Sequence, residues 1–226
     1  MIDGDACAPE PVLNAFAPIG ATAARLMILG SMPGAASLAE TEYYAHPRNA
    51  FWPVLQALCS GSINTYSEKK QLLIANHIVV WDVLTQCIRP GSLDANIRAD
   101  SIVCNNFAEL LDIQTTISRI AFNGKAAEQL FRKHVIPTLD VNFTHSTVGK
   151  CEHAQSEIDT TDATAAKSMS SATAITSSGT EADTAAGTAT RTIQLVPLPS
   201  TSPAMASLST DAKIQAWRTA LLQGVK

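Results

Sequence analysis

Three polar clusters in this chain hold residues whose types and spacing could do chemistry. Gly30-Ser31-Met32-Pro33-Gly34 sets two glycines and a proline after an apolar run. Such a turn lets the backbone approach a ligand closely, with Ser31 and Gly34 offering hydroxyl and backbone donors. It also reads as a plain strand-to-helix turn. Tyr43-Tyr44-Ala45-His46-Pro47-Arg48-Asn49 follows, placing two phenols, an imidazole and an amide within seven residues. The Asn49 amide oxygen could accept from a positioned water, or it could simply cap a following helix. His46 either touches a ligand or orders the loop. Far downstream, Leu198-Pro199-Ser200-Thr201-Ser202-Pro203-Ala204 holds three hydroxyls between prolines, a stiff segment suited to phosphate oxygens or an ordinary polar loop. Asp82, after another apolar run, is either a ligand-reading carboxylate or an N-cap or surface acid.

Other chemistries lack their residues. There is no G-x-G-x-x-G and no G-x-x-x-x-G-K-[ST], so dinucleotide and nucleoside triphosphate sites have no support. Cys7, Cys59, Cys87, Cys104 and Cys151 are scattered, odd in number and never C-x-x-C, which argues against a disulfide framework or a cysteine zinc site. His145…Cys151-Glu152-His153 fits no standard zinc spacing. No apolar run approaches the roughly 18–20 residues that span a bilayer. Asp3, Asp5 and Glu10 precede the first basic residue, Arg25, unlike a signal or transit peptide, so an intracellular protein of cytoplasm or nucleus is expected.

The elements that must position these clusters alternate as strand and helix. Apolar runs at 25–29, 77–81, 117–122 and 192–196 read as buried strands. Helical spacing marks 49–59, 104–111, the stretch after Asn123-Gly124, and 210–223. Strands separated by helices imply a parallel sheet covered on both faces, with functional loops at the strands' carboxyl ends. Those loops are 30–49, 82–97, 123–124 and 197–206. Trp52, Trp81 and Trp217 fall on apolar stripes and read as core.

At 226 residues the chain fits a single domain, 1–226, and at 46% hydrophobic it can build a globular core. Residues 154–190 differ: 25 of these 37 are Ala, Ser or Thr, with no Leu, Val or aromatic residue. This composition predicts a low-complexity, disordered insertion, the alternative being an Ala-rich helix that nine Thr and two Gly disfavour. The insertion carries the whole formal charge of −4, which leaves the remainder balanced at 15 basic and 15 acidic residues. Net charge therefore argues neither for nor against a nucleic-acid partner.

"LGSMPGAASL", "YYAHPRNAFW", "WDVLTQCIRPGSLDANI", "FNGKAAEQLF" and "LPSTSPA" resemble, in order and spacing, the uracil-DNA glycosylase superfamily, most of all its hypoxanthine-DNA (deoxyinosine) glycosylase branch. The resemblance runs from about Phe16 to Leu222 and skips the insertion. It implies an α/β fold, a three-layer αβα sandwich around a short four-stranded parallel sheet. It also implies hydrolysis of the N-glycosidic bond of a deaminated base flipped out of DNA, by a monomer with no metal, organic cofactor or membrane partner.

By the same resemblance Tyr44 stacks on the extruded base, Ser200 and Ser202 hold a phosphate, and Pro203, Ala204 and Met205 wedge into the vacated stack. Ser31 and Gly34 would serve the base or phosphate. His46 and Asp82 would face the base, Asp82 accepting from hypoxanthine N1–H where pyrimidine-specific relatives use Asn. In several relatives an Asn or Asp in the first loop handles the water; here that position is Met32, so the work passes to Asn49. With no Lys in the motifs to form a Schiff base, a monofunctional enzyme is expected. Met32 also keeps open a non-catalytic DNA-binding module with this fold, and a small-molecule nucleoside hydrolase is a third possibility.

Overall fold

The computed structural model describes residues 10–139, 143–147 and 191–222. The 154–190 segment and the Cys151-Glu152-His153 triplet lie outside the described residues. Four strands form the central parallel array: β3 (Leu26–Gly30), β4 (Ile78–Asp82), β7 (Arg119–Asn123) and β9 (Arg191–Leu198). They coincide with the four expected apolar runs to within two residues at each end. The sheet itself has six strands rather than four, in the order β2-β4-β3-β7-β9-β8. The additions are β2 (Ile19–Gly20), antiparallel to β4, and β8 (Phe143–Thr147), parallel to β9. Two residues carry no readable period, and the polar Phe-Thr-His-Ser-Thr run of β8 carries no apolar signal, so neither edge strand is legible locally.

Alternation along the central strands divides the core in two. Met27, Leu29, Val79, Trp81, Ile120, Phe122, Ile193 and Leu195 face one side of the sheet. Ile28, Ile78, Val80, Ala121, Val196 and Leu198 face the other. This period of two, apolar on both faces, is what a doubly covered parallel sheet demands. On the first side lie α4 (Phe107–Ile113) and α5 (Lys125–Leu130), contributing Phe107, Leu111 and Ala127, followed by a π turn over Phe131–Val135. On the second lie α2 (Phe51–Leu58), α3 (Tyr66–Ala75) and α6 (Thr210–Leu222), contributing Phe51, Trp52, Leu55, Leu72, Leu73 and Trp217. The three-layer αβα arrangement is thus present. A reciprocal capping box, Thr65 with Glu68, starts α3.

A second, antiparallel sheet of β1 (Val12–Asn14), β5 (Leu84–Ile88) and β6 (Val103–Cys104) was not anticipated from the sequence. It grows from the end of β4, where Val83 and Leu84 N–H groups donate to the Gly30 and Ser31 carbonyls. The chain thereby runs alongside the first loop before turning away, which fixes residues 82–97 against residues 30–34. Among the described residues no helix is long and apolar enough to cross a membrane.

All three tryptophans are buried, as their stripes predicted, and Trp217 has no exposed surface. Its ring packs edge-on to Phe51, and its Nε1 donates to the Pro199 carbonyl at 2.9 Å. Helix α6 is thus tied to the segment that enters Ser200. Trp217→Ala removes both the packing and the tie, so chemical denaturation should show a loss of about 3–5 kcal/mol. Trp217→Phe, which keeps most of the ring, should lose clearly less.

Candidate functional site

The four carboxyl-end loops converge on a pocket of about 150 Å³. Its walls take Gly30 to Ser37 from the first loop and the start of α1 (Ala35–Glu40). Tyr43, Tyr44, His46 and Asn49 follow, with Asp82, Ser92 and Asp94, then Asn123, and finally Ser200, Ser202 and Pro203. Nine of the eleven residues singled out from sequence line it. Ala204 and Met205 do not, and lie exposed beyond the rim. Residues 170 positions apart in the chain meet here only because β3, β4, β7 and β9 are adjacent and parallel.

Gly30 and Asp82 are paired across β3 and β4 at the last rung of that ladder. A β-carbon on Gly30 would come within 2.4 Å of Asp82 Oδ1 and 3.1 Å of the Tyr44 hydroxyl, so any side chain there would force the Asp82 carboxyl to move. Asp82 is 3% exposed, and its Oδ2 has no hydrogen-bond partner. Neither an N-cap nor a surface acid describes it. Burial first, then the Asp94 carboxyl, push its pKa up to about 8 against the opposing pull of Arg89. A pKa there favours a proton on Asp82 at neutral pH, and either form keeps an oxygen able to accept from a ring N–H.

Arg89 holds the first loop in place. Its side chain is buried, and it donates to the carbonyls of Met32 (3.4 Å), Pro33 and Gly91 (3.2 Å), with Asp94 Oδ1 at 3.7 Å. Asp94 in turn accepts from the Ser31 hydroxyl at 2.7 Å. Ser31 is therefore committed within the protein and is not a donor waiting for a base or phosphate. Burial raises the Asp94 carboxyl, while Ser31 and Arg89 pull it down. Gly34 closes the loop beside Ser92, whose hydroxyl oxygen accepts from Ala35 N–H at 2.9 Å. Met32 is 6% exposed; its side chain joins the core while its carbonyl serves Arg89.

The second cluster is a wound turn. Asn49 N–H donates to the His46 carbonyl at 2.8 Å, and His46 Nδ1 accepts from Arg48 N–H at 3.1 Å. Asn49 Oδ1 accepts from Phe51 N–H at 3.0 Å, so Asn49 does serve the start of α2, while standing in the pocket wall. An amide oxygen has a second lone pair, so the two duties are compatible. Tyr43 is core: it is 2% exposed and its hydroxyl donates to the Phe16 and Ala17 carbonyls. Tyr44 sits in the left-handed backbone region at φ 55°, a conformation costing of order 1–3 kcal/mol for a side-chain-bearing residue. One ring face stacks on Phe51 at 3.7 Å and 18°. Burial, then Asp82, push the phenol up, the neighbouring Asn123 side chain pulls it down, and the hydroxyl is buried.

The third cluster is pinned by a residue the sequence did not single out. Asn123, at the end of β7, accepts from Thr201 N–H at 2.8 Å and donates to Thr201 Oγ1 at 2.9 Å. Thr201 is fully buried, and its carbonyl accepts from Ala50 N–H at 3.0 Å. The middle hydroxyl of "PSTSP" is thus structural, joining three loops. Ser200 and Ser202 use their oxygens as acceptors from Ser202 and Ala204 N–H groups, at 3.2 Å each, which leaves their protons to donate. Lys213, 5% exposed, donates to the Met205 carbonyl at 3.0 Å and anchors the far side of this loop. Arg89, Asp94 and Asn123 were all within quoted motifs, yet nothing local distinguishes a clamp from a surface residue.

These features define an α/β protein with one polar pocket at the carboxyl ends of its central strands. The uracil DNA glycosylase superfamily model matches residues 17–222, and the chain belongs to that superfamily. It is 33% identical over 112 residues to a protein named hypoxanthine DNA glycosylase from Methanosarcina barkeri, covering 49% of this chain and 70% of that one. A protein of the same name from Methanosarcina acetivorans is 33% identical over 104 residues, covering 45% and 65%. A solution NMR structure from M. acetivorans, described as a "putative Uracil DNA glycosylase", is 30% identical with a TM-score of 0.47, covering 54% of this chain and 78% of that one.

The protonated state of Asp82 has a measurable consequence. A carboxyl whose folded pKa lies above its unfolded value binds the extra proton in the folded state, so stability falls as pH rises between the two. The window runs from about 4, the ordinary carboxyl value, to about 8. Asp82→Asn carries no such penalty. Thermal melts should show this variant gaining on the parent protein steadily from pH 5 to pH 8 and levelling off above; a constant difference would mean that Asp82 is ionised throughout.

Proposed function

We propose that this chain is a monofunctional DNA glycosylase that hydrolyses the N-glycosidic bond of a deaminated base extruded from DNA, with hypoxanthine preferred and uracil or xanthine also admitted. The observation that carries this reading is the convergence of Asn49, Tyr44 and Asp82 with the Ser200–Pro203 rim on one pocket. Similarity to two proteins named hypoxanthine DNA glycosylase supports it. A base in duplex DNA is shielded, and a mispaired one costs least to extrude, so a narrow pocket beside a phosphate-binding rim suits the task.

The proposal gives each residue a role. Ser200 and Ser202 present hydroxyl protons where a strand's phosphates would lie, and Pro203, Ala204 and Met205 project at the rim to occupy the vacated stack. Tyr44, braced from behind by Phe51, offers its other ring face to the base. Gly34 and His46 wall the entrance, and Ser31 acts indirectly by holding Asp94. Asn49 orients the attacking water. Its oxygen bonds to C1′, the bonding pair of the N-glycosidic bond leaves with the base, and one water proton is released. Among the described residues no lysine lines the pocket, which supports a monofunctional enzyme.

Met32 supports a second reading, a DNA-binding module without catalysis, because an apolar side chain occupies a position where an amide or acid would hold water. The parent protein's action on a deoxyinosine duplex separates the two, and Asn49→Ala tests the role given to Asn49. Under single-turnover conditions on a duplex with one deoxyinosine, excision should fall about 10²–10³-fold, with duplex affinity within a few-fold. Loss of the acceptor for Phe51 N–H should cost about 1 kcal/mol of stability in the same samples. A parent protein that makes no alkali-labile site at high concentration rejects the glycosylase in favour of the module.

A further inference from the structure

Thr201 has no exposed surface and takes no place in the pocket wall, although Ser200 and Ser202 on either side of it do. Its N–H donates to Asn123 Oδ1 at 2.8 Å, and its Oγ1 accepts from Asn123 Nδ2 at 2.9 Å. Two bonds between one amide and one residue fix the Thr201 peptide in direction as well as in place. Asn123 and Leu198 are paired at the last rung of β7 and β9, so these bonds start from the sheet. A third bond hands the direction on: the Thr201 carbonyl accepts from Ala50 N–H at 3.0 Å. Ala50, between Asn49 and Phe51, is the N-cap residue of α2, and its side chain makes no cap. The Thr201 carbonyl therefore holds the peptide that leaves Asn49. Asn49 Oδ1 commits one lone pair to Phe51 N–H at 3.0 Å, so the direction of its second follows the backbone of residues 49–51. None of this is needed to fill space. Valine has the shape of threonine and requires no buried partner.

Resting on the glycosylase reading above, we infer that Thr201 is a positioning residue for Asn49: through Asn123 and Ala50 it carries the register of β7 and β9 to the amide that orients the attacking water. It touches neither base nor water. Its hydroxyl gives Asn123 Nδ2 an acceptor, which keeps Oδ1 of the same amide on Thr201 N–H. Without that acceptor the amide turns toward another, the Thr201 peptide loses its reference, and the hold on Ala50 loosens. The amide oxygen of Asn49 then swings in the pocket wall. Ser200 and Ser202 leave the same residue in opposite directions, so one side chain sets where the phosphate-binding hydroxyls and the water-binding amide stand relative to each other. A displacement of about 1 Å at a reacting centre is enough to matter for rate.

Two substitutions separate bonding from packing. Thr201→Val keeps the volume and loses the acceptor, whereas Thr201→Ser keeps the acceptor and loses a methyl group. On a deoxyinosine duplex, the saturating single-turnover rate of the Val variant should fall about 10–100-fold. The enzyme concentration giving half of that maximal rate should stay within about threefold of the parent's. The Ser variant should keep its rate within about threefold, although its melting temperature falls. A packing role predicts the reverse order, with Val near the parent and Ser impaired. In an Asn49→Ala background, Thr201→Val should cost less than about a further twofold, because its effect passes through the missing amide. Amide hydrogen exchange reads the same link without catalysis. Ala50 and Phe51 N–H groups should exchange about tenfold faster in the Val variant and at the parent's rate in the Ser variant. If the parent excises nothing, the glycosylase reading fails and exchange alone decides the link. A Val variant with the parent's exchange at Ala50 and Phe51, or a rate loss that multiplies with that of Asn49→Ala, overturns the inference.

Discussion

The site depends on a contact between two strands. Gly30 and Asp82 face each other at the last paired position of β3 and β4, and the absence of a side chain at Gly30 is what leaves space for the Asp82 carboxyl. Parallel pairing sets the register, and burial on both faces leaves the acid in the pocket wall with Arg89 only partly offsetting the rise in its pKa. The first loop then has no freedom to relax over it. Its backbone is bonded to Val83 and Leu84 on one side and to Arg89 on the other.

Arg89 shows how a buried charge is tolerated. A guanidinium offers five donors in a fixed fork, and here they satisfy carbonyls of the first loop and of its own turn, with Asp94 nearby. The cost of its desolvation is offset by carbonyls that would themselves be unpaired in a tight Pro-containing turn. The arrangement ties the loop down while Arg89 stays near enough to pull against the raised pKa of Asp82.

The other two loops are joined in a comparable way by neutral groups. Asn123 and Thr201 exchange two hydrogen bonds, and the Thr201 carbonyl receives Ala50 N–H at the start of α2. The strand end of β7, the serine rim and the turn carrying Asn49 are thus one assembly. Trp217 and Lys213 brace the rim from α6 through the Pro199 and Met205 carbonyls. Preorganisation of this kind is what a site needs when it must hold a water and a base within tenths of an ångström.

The sequence by itself determined the four central strands, the covering helices α2, α4, α5 and α6 but not α3, and the loops that carry the site. Those features rest on local physics: unbroken apolar runs, helical spacing, and glycine and proline at turns. It also placed Asn49, Tyr44 and Asp82 among the residues to watch. Only the tertiary structure decided what state they are in. Asp82 is indistinguishable from a surface acid until burial and Asp94 raise its pKa, Ser31 looks free until its hydroxyl donates to Asp94, and Asn49 both accepts from Phe51 N–H and walls the pocket. Arg89 and Asn123 were invisible because their partners lie 57 and 78 residues away. Edge strands and the small antiparallel sheet were equally hidden, since their pairings, of two to five residues, are imposed by neighbours and leave no apolar period in the chain.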